Sequence, residues 1–251
     1  MKTFYNLVPD PEGVSRLYID GEIVSGNGYT DWWGDTSVGS REFRQALEKL
    51  GDVDVYINSP GGDVFAGAEM YSALKMHEGR VRVKIMGIAA SAASMVAMAG
   101  DEVLISPVGS IMIHDPWSYV AGNAREMEHE AQVLREIGEG IAAAYVAKTG
   151  LSTDEVERML ADETWLNAQS AIDLGFADGL WDFAADTKAI SQATSPAATM
   201  RGRSYTPAAY MAKMGVRKAQ EKPAPAPAPD SAPQARKAAR EAVRKAAETL
   251  S

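Results

Sequence analysis

Residues 87–94 read Gly-Ile-Ala-Ala-Ser-Ala-Ala-Ser and lie between an apolar run, Val81–Met86, and a stretch of small residues that ends at Ala99. The apolar run predicts a β-strand, Gly87 the start of a tight turn, and the small residues a helix from Ser91. At a turn from strand to helix, a serine with such small neighbours has an exposed hydroxyl and a backbone that a substrate can approach. Ser91 is therefore the first candidate for a catalytic nucleophile.

Strands and helices alternate on both sides of this turn. Apolar patterns predict strands over Arg16–Val24 and Val53–Asn58, and helical spacing predicts helices over Ser40–Leu50 and Val64–His77. Ser59–Gly62 is a strong turn signal. The remaining predicted elements are strands at Val103–Ile105, Ser110–His114, Trp165–Leu166 and Gly179–Phe183, and helices at Asn123–Lys148 and Asn167–Leu174. This alternation predicts an α/β fold with parallel strand pairing and successive βαβ units.

The composition is typical of a soluble globular protein. The chain has 251 residues, enough for one large domain or for a domain with an appendage, and 46% are hydrophobic. The sequence has no cysteine, which excludes disulfides, thiolate metal sites and cysteine nucleophiles. It shows no secretory signal, and no apolar run approaches the roughly 20 residues that span a bilayer. We therefore expect a cytoplasmic protein without a membrane partner.

Charge and composition change near residue 185. The first 185 residues carry 13 basic and 29 acidic side chains, and the rest carry 12 basic and 5 acidic ones. An acidic globular part argues against nucleic acid as a partner. We predict a globular domain over residues 1–185, a flexible Ala/Pro/Ser-rich linker over residues 186–233, and a short basic, alanine-rich helix or disordered tail over residues 234–251.

A histidine supplies the candidate base. His114 ends a short apolar strand, 23 residues after Ser91. The other two histidines are weaker candidates, since His77 lies at a predicted helix end and His129 lies in a charged run on a helix face. A histidine fixed at a strand end, together with a serine at a turn, favours a nucleophile and general base. Ser94, one helical turn after Ser91, is the rival nucleophile, and we expect it to face the core or a neighbouring helix.

Backbone amides and carboxylates complete the candidate site. Gly62 and the glycine before it lie between a strand and a helix, where bare amides can face an anion. The N–H groups of Gly62 and Ala92 would then form an oxyanion hole. Asp162 and Glu163 are the candidate acids that orient the imidazole. Asp115 adjoins the histidine, but neighbours on a strand point to opposite faces, so it is badly placed for that role.

Taken in order, these motifs resemble the ClpP-type serine peptidases over roughly residues 15–183. The matching stretches are Ser59–Gly62 with Ala66-Gly67, Gly87–Ser91 ending at Ala99-Gly100, Met112–His114, Thr149-Gly150 and Trp165–Ala168. The form of the motifs is most similar to the ClpP-like proteases of tailed phages and prophages that act in capsid maturation. That similarity lies in residues 31–36 (DWWGDT), 113–117 (IHDPW) and 163–165 (ETW).

The resemblance implies a crotonase-like superhelix of βαβ units with Ser91 as nucleophile, His114 as general base, and the amides of Gly62 and Ala92 as the oxyanion hole. The family has an aspartate as the third triad member. In register with it stands Glu163, which we favour, with Asp162 as the alternative. No metal or other cofactor is expected.

The resemblance also implies a ring-shaped homo-oligomer that acts on protein substrates. In a capsid maturation protease these would be capsid or scaffold protein inside the immature capsid, together with the chain's own tail. The helix Asn123–Lys148, with an acidic first half and an apolar second half, is then the expected subunit contact. Packing of this helix on its own domain is the alternative.

Three rival interpretations remain from the sequence. A crotonase-type acyl-CoA enzyme would share the fold and the oxyanion hole without needing Ser91 and His114. A catalytically inactive, scaffold-like structural protein would keep only the fold. A Ser-Lys dyad peptidase would use Lys84, which lies close to Ser91 in sequence but on the strand before the turn.

Overall fold

The computed structural model describes residues 7–8, 13–28 and 37–184. Its elements in chain order are β1 (Leu7–Val8), β2 (Ser15–Val24), β3 (Ser37–Gly39), α1 (Ser40–Leu47), β4 (Val53–Gly62), α2 (Val64–Lys75), β5 (Val81–Ala90), α3 (Ala92–Ala97), β6 (Glu102–Ile105), β7 (Ser110–Ile113), α4 (Ala124–Thr149), α5 (Thr153–Ala161), β8 (Thr164–Asn167), α6 (Ala168–Asp173) and β9 (Gly179–Leu180). The predicted α/β class is confirmed. The domain boundary at residue 185, the predicted linker and tail, and residues 31–36 lie outside the described residues.

A largely parallel sheet forms the centre of the fold. Its main path runs β1-β2-β4-β5-β6-β9, with β3 beside β2, β7 beside β5 and β8 beside β7. Helix α2 connects the parallel neighbours β4 and β5, and α3 connects β5 to β6. These are the predicted βαβ crossovers. Among the described strands, the antiparallel pairs are β1 with β2 and β7 with β8.

Side-chain alternation separates the two faces of the sheet. Val55 of β4 and Val83 of β5 lie in the main hydrophobic core with Met70 of α2. The alternate positions place Asp54 and Lys84 on the opposite face, where the Lys84 ammonium lies 2.6 Å from the Asp54 carboxylate. The period of two in the sequence therefore decided which residues meet the helices.

One edge of β5 pairs with β4, and the other edge pairs with two strands in succession, a fork that positions the candidate site. Residues 82–85 pair with β6, and residues 88–90 pair with β7. The strand therefore continues past Gly87, where the sequence predicted a turn, because its second half gains a new hydrogen-bonding neighbour. The chain leaves the sheet after Ala90, and Ser91 is the N-cap of α3.

The turn predicted at Ser59–Gly62 is also wrong, because β4 continues to Gly62. Its last residues still pair with β2, where Gly62 lies opposite Ile23 and the register shifts by a bulge. Gly61 (φ 92°) and Gly62 (φ 147°) accommodate this bend with positive φ angles that other residues rarely adopt. The predicted turn residues thus form the bent last part of β4.

Helix α4 begins and ends where the sequence predicts. The Asn123 side chain accepts from the Glu126 amide while the Glu126 carboxylate accepts from the Asn123 amide, which is a capping box. Gly150 ends the helix in the left-handed conformation (φ 73°). Most of residues 124–136 are exposed, whereas Tyr145 is buried in the core.

Within the described residues, no helix combines the length and the apolar character needed to cross a lipid bilayer.

Candidate active site

Ser91 has a strained backbone between β5 and α3. Its φ of 53° and ψ of −129° lie in a region that residues with a Cβ rarely occupy and that costs on the order of 1–3 kcal/mol. A sharp strand-to-helix turn also presents the nucleophilic serine in the α/β-hydrolases. Its amide donates to the Met112 carbonyl of β7 at 2.9 Å. The fork of β5 therefore holds the serine at the end of two paired strands.

His114 meets Ser91 directly after β7. Pairing of β7 with β5 places Met112 opposite Ala90, so Ser91 and His114 follow the same end of two neighbouring parallel strands, one residue out of register. The His114 Nε2 is 2.8 Å from the Ser91 Oγ. At this distance an unprotonated Nε2 can accept the hydroxyl proton, which is the geometry that a general base needs.

Burial lowers the pKa of the His114 imidazole below its ordinary value, and the negative charges of Glu163 and Asp115 act in the opposite direction. Burial has the larger effect because removing water disfavours the imidazolium. The ring is thus kept neutral, the form that can act as a base.

We expect the acid side of the pH profile to reflect this lowered pKa. Activity needs neutral His114, so kcat/KM should fall as pH drops, with a midpoint below about 6.5, the pKa of an unperturbed histidine. The measurement is kcat/KM against pH on a peptide substrate without ionisable groups in this range. A midpoint at or above that value would contradict the burial argument.

Glu163 lies beside His114, at the turn between α5 and β8. The antiparallel register of β7 and β8 pairs Ile113 with Thr164, so the next step of the same register brings His114 level with Glu163. Glu163 has a φ of 48°, which makes it, with Ser91, one of the two non-glycine residues with positive φ in the described ranges. Both strained residues therefore belong to the candidate site.

The tryptophan two residues further on holds the Glu163 carboxylate. Trp165 Nε1 donates to Glu163 Oε1 at 3.2 Å, and within the described residues no hydrogen bond joins this carboxylate to His114. Sequence reasoning missed this role of Trp165. A pattern of period two could not have shown it, because Glu163 precedes β8 and its positive φ is not that of an extended chain.

The alternative acid, Asp162, is differently placed. It is the exposed C-cap residue of α5, whereas Glu163 is partly buried. The carboxylates that act on the pKa of His114 are those of Glu163 and Asp115. The structure thus brings Glu163 to the histidine and leaves Asp162 in solvent. Asp115 also contributes charge, which the argument from strand alternation did not anticipate.

The two candidate oxyanion donors lie along the same edge of the site. A Cβ atom added to Gly61 would lie 2.8 Å from Ser91 Cβ and 2.9 Å from the Ala92 nitrogen, so the end of β4 runs against the serine turn with no room for a side chain. Gly62 follows directly. Ala92 is the first residue of α3, where an amide has no carbonyl four residues earlier in the helix to bond to.

The two rival residues are held elsewhere. Ser94 is fully buried, and its hydroxyl contacts the Ser91 carbonyl and the Tyr145 hydroxyl. Lys84 is 1% exposed and ion-paired with Asp54 on the sheet face opposite the core. Neither residue presents a free nucleophile or base next to the Ser91 hydroxyl.

The structure is that of an α/β protein with a candidate serine nucleophile and histidine base at the end of the central parallel strand β5. The family model described as Clp protease matches residues 14–183. The chain belongs to the Clp protease family, which is a family of serine-type peptidases.

The chain is similar to proteins of one name from Bacteroides fragilis and Pleurastrum terricola. The chain is 30% identical over 166 residues to the ATP-dependent Clp protease proteolytic subunit of Bacteroides fragilis. The aligned residues make up 65% of this chain and 80% of the relative. The protein of the same name from Bacteroides fragilis strain YCH46 is also 30% identical over 166 residues, 65% of this chain and 76% of the relative. That of Pleurastrum terricola is 35% identical over 126 residues, 49% of this chain and 64% of the relative.

Proposed function

We propose that the protein is a serine endopeptidase with Ser91 as nucleophile, His114 as general base and Glu163 as the acid that orients the imidazole. The amides of Gly62 and Ala92 form the oxyanion hole. The observation that carries the proposal is the 2.8 Å contact between His114 Nε2 and Ser91 Oγ. The positive φ angles of Ser91 and Glu163 support it, since such strain is concentrated at functional sites.

The reaction needs only these groups and water. Ser91 Oγ bonds to the substrate carbonyl carbon while His114 Nε2 takes the hydroxyl proton. The carbonyl π electrons move to the oxygen, and the two amides donate hydrogen bonds to the oxyanion that forms. The imidazolium then gives its proton to the leaving amine as the C–N bond breaks. Water, deprotonated by the same nitrogen, releases the acyl group and restores Ser91.

Labelling with a fluorophosphonate probe tests this proposal without knowledge of the substrate. The wild-type protein should gain one probe mass per chain, mapped to Ser91 by peptide mass spectrometry. Since the probe reacts only with an activated serine, His114→Ala should slow labelling by about 10³-fold or more. The matched control is His77→Ala, which removes a histidine that follows α2 and contacts the Gly51 carbonyl, away from the candidate site and from α4, and it should label at the wild-type rate.

Two outcomes would favour the rival interpretations. Absence of labelling in folded wild-type protein would favour the inactive, scaffold-like protein. Turnover of an acyl-CoA thioester that survives Ser91→Ala would favour the crotonase-type enzyme, because that chemistry needs only the fold and the oxyanion donors.

The substrate is proposed to be protein, and the working form a ring, because Clp proteases typically form ring oligomers and act on proteins. Exposed residues 124–136 of α4 are the proposed subunit contact. Size-exclusion chromatography with light scattering would test this assembly. A monomer at micromolar concentration would contradict it.

A narrower proposal concerns the setting of the reaction. The motifs at residues 31–36 and 113–117 support a phage or prophage capsid maturation protease that works in the host cytoplasm, inside the immature capsid. Its substrates would be scaffold or capsid precursor and its own tail. Intact-mass spectra of purified wild type, taken over time, should then show loss of mass after residue 185 that Ser91→Ala prevents. A tail that stays intact at high protein concentration would contradict self-processing.

A further inference from the structure

A buried pair of hydroxyl groups lies directly behind the candidate nucleophile. The Ser94 Oγ donates to the Ser91 carbonyl oxygen at 2.6 Å and lies 2.8 Å from the Tyr145 hydroxyl. Ser94 and Tyr145 are 0% and 1% exposed, so water does not compete for these bonds. The contact joins α3 to α4 across 51 residues of sequence.

The chemistry of the groups fixes the direction of the protons. A carbonyl oxygen can only accept, so the single proton of the Ser94 hydroxyl points to Ser91. The Ser94 oxygen must then accept from Tyr145. Burial raises the pKa of the Tyr145 phenol, which therefore stays protonated and remains a donor. The result is a directional chain from Tyr145 through Ser94 to the Ser91 carbonyl.

The end of this chain controls an amide in the active site. The Ser91 carbonyl and the Ala92 N–H belong to one planar trans peptide group, in which C=O and N–H point in opposite directions. A hydrogen bond that holds the Ser91 carbonyl oxygen towards the core therefore points the Ala92 N–H away from the core. The same oxygen also accepts from the Ser94 amide at 2.9 Å and more weakly from the Met95 amide at 3.3 Å.

We propose that Ser94 and Tyr145 are positioning residues that aim the Ala92 amide at the developing oxyanion. The proposal rests on the proposed function, in which that amide is an oxyanion donor. The two residues never touch the substrate and act through the peptide group between Ser91 and Ala92. Hydrogen bonds to the carbonyl also polarise the peptide group, which strengthens its N–H as a donor.

The test is the second-order rate constant for phosphonylation of Ser91 by a fluorophosphonate, whose P=O group occupies the oxyanion hole. Loss of a complete donor costs about 10²–10³-fold, so a misaimed donor should cost less. We expect Ser94→Ala to react about tenfold more slowly and Tyr145→Phe about threefold more slowly. The control is Phe176→Leu, which alters the ring packed 5.7 Å from Tyr145 without touching the chain of hydroxyls. It should react within about twofold of wild type.

Two further measurements separate positioning from mere stability. The pH midpoint of labelling should be unchanged in both variants, because His114 keeps its surroundings. Tyr145→Phe should also cost nothing extra in a Ser94→Ala background, because the phenol acts only through Ser94. All rates are taken well below the unfolding midpoints, so that loss of stability alone does not lower them.

The outcomes distinguish this proposal from the proposed function. If wild type is not labelled at Ser91, the proposed function itself fails. If wild type is labelled but both variants react at its rate, or Phe176→Leu is slowed as much as Tyr145→Phe, only the positioning role is overturned. Additive effects in the double variant overturn it as well. Should Ser94→Ala not fold, Tyr145→Phe alone decides, since it removes one oxygen and keeps the ring.

Discussion

Replacing Ser91 with alanine is expected to lower kcat for peptide hydrolysis by about 10⁶-fold, to the level of binding and oxyanion stabilisation without a nucleophile. No other described residue offers a hydroxyl to His114 Nε2. Stability should change little, by about 1 kcal/mol, because one hydrogen bond is lost and no cavity is created. The measurement is release of fluorescence from a labelled, denatured protein, with thermal unfolding of both proteins as the check on folding.

The matched control is Ser72→Ala, which removes the hydroxyl of an exposed serine on α2 and should leave the rate within about twofold of wild type. Activity of Ser91→Ala within tenfold of wild type would mean that another residue is the nucleophile. Because Ser94 is buried, such a result would point away from this turn altogether.

In the proposed triad the Glu163 carboxylate hydrogen-bonds to the imidazole once substrate is bound, and on that basis replacing Glu163 with glutamine is expected to lower kcat by about 10³–10⁴-fold. The carboxylate stabilises the imidazolium that forms in the transition state, and the neutral amide cannot. The same charge raises the pKa of His114, so its removal should lower that pKa further. The acid-side midpoint of kcat/KM should therefore move to lower pH in Glu163→Gln. Both changes are read from one set of pH–rate profiles.

Asp162→Asn is the matched comparison, because it removes the same charge one residue away. The exposed position of Asp162 at the end of α5 predicts an effect on kcat of no more than about twofold and an unchanged midpoint. A larger loss in Asp162→Asn than in Glu163→Gln would reassign the acid. Equal, small losses would reduce the site to a serine–histidine pair.

The sequence predicted the fold well where the evidence was local. Apolar alternation located β2 and β4, and helical spacing located the start of α2 at Val64. These signals depend on residues within one or two turns of each other, so a single sequence contains them.

The sequence failed where a neighbour distant in sequence decided the outcome. Ser59–Gly62 and Gly87 have the composition of turns, yet both stretches are strand, because β2 and β7 supply hydrogen bonds that outweigh the local preference. The sequence also left Lys84 open as the base of a Ser-Lys dyad, because its ion-pair partner is distant in sequence. Its partner, Asp54, lies 30 residues earlier and meets it only in the folded sheet.

By itself, the sequence determined the class of fold and the pair of side chains, Ser91 and His114, on which the chemistry would depend. Their residue types and their places at strand ends were enough, since both are local properties. The tertiary structure alone decided what lies around that pair. It brings Glu163 and not Asp162 to the imidazole, and it places Tyr145 and Ser94 behind the serine. Such contacts depend on strand register and helix packing, which a pattern of residue types does not specify.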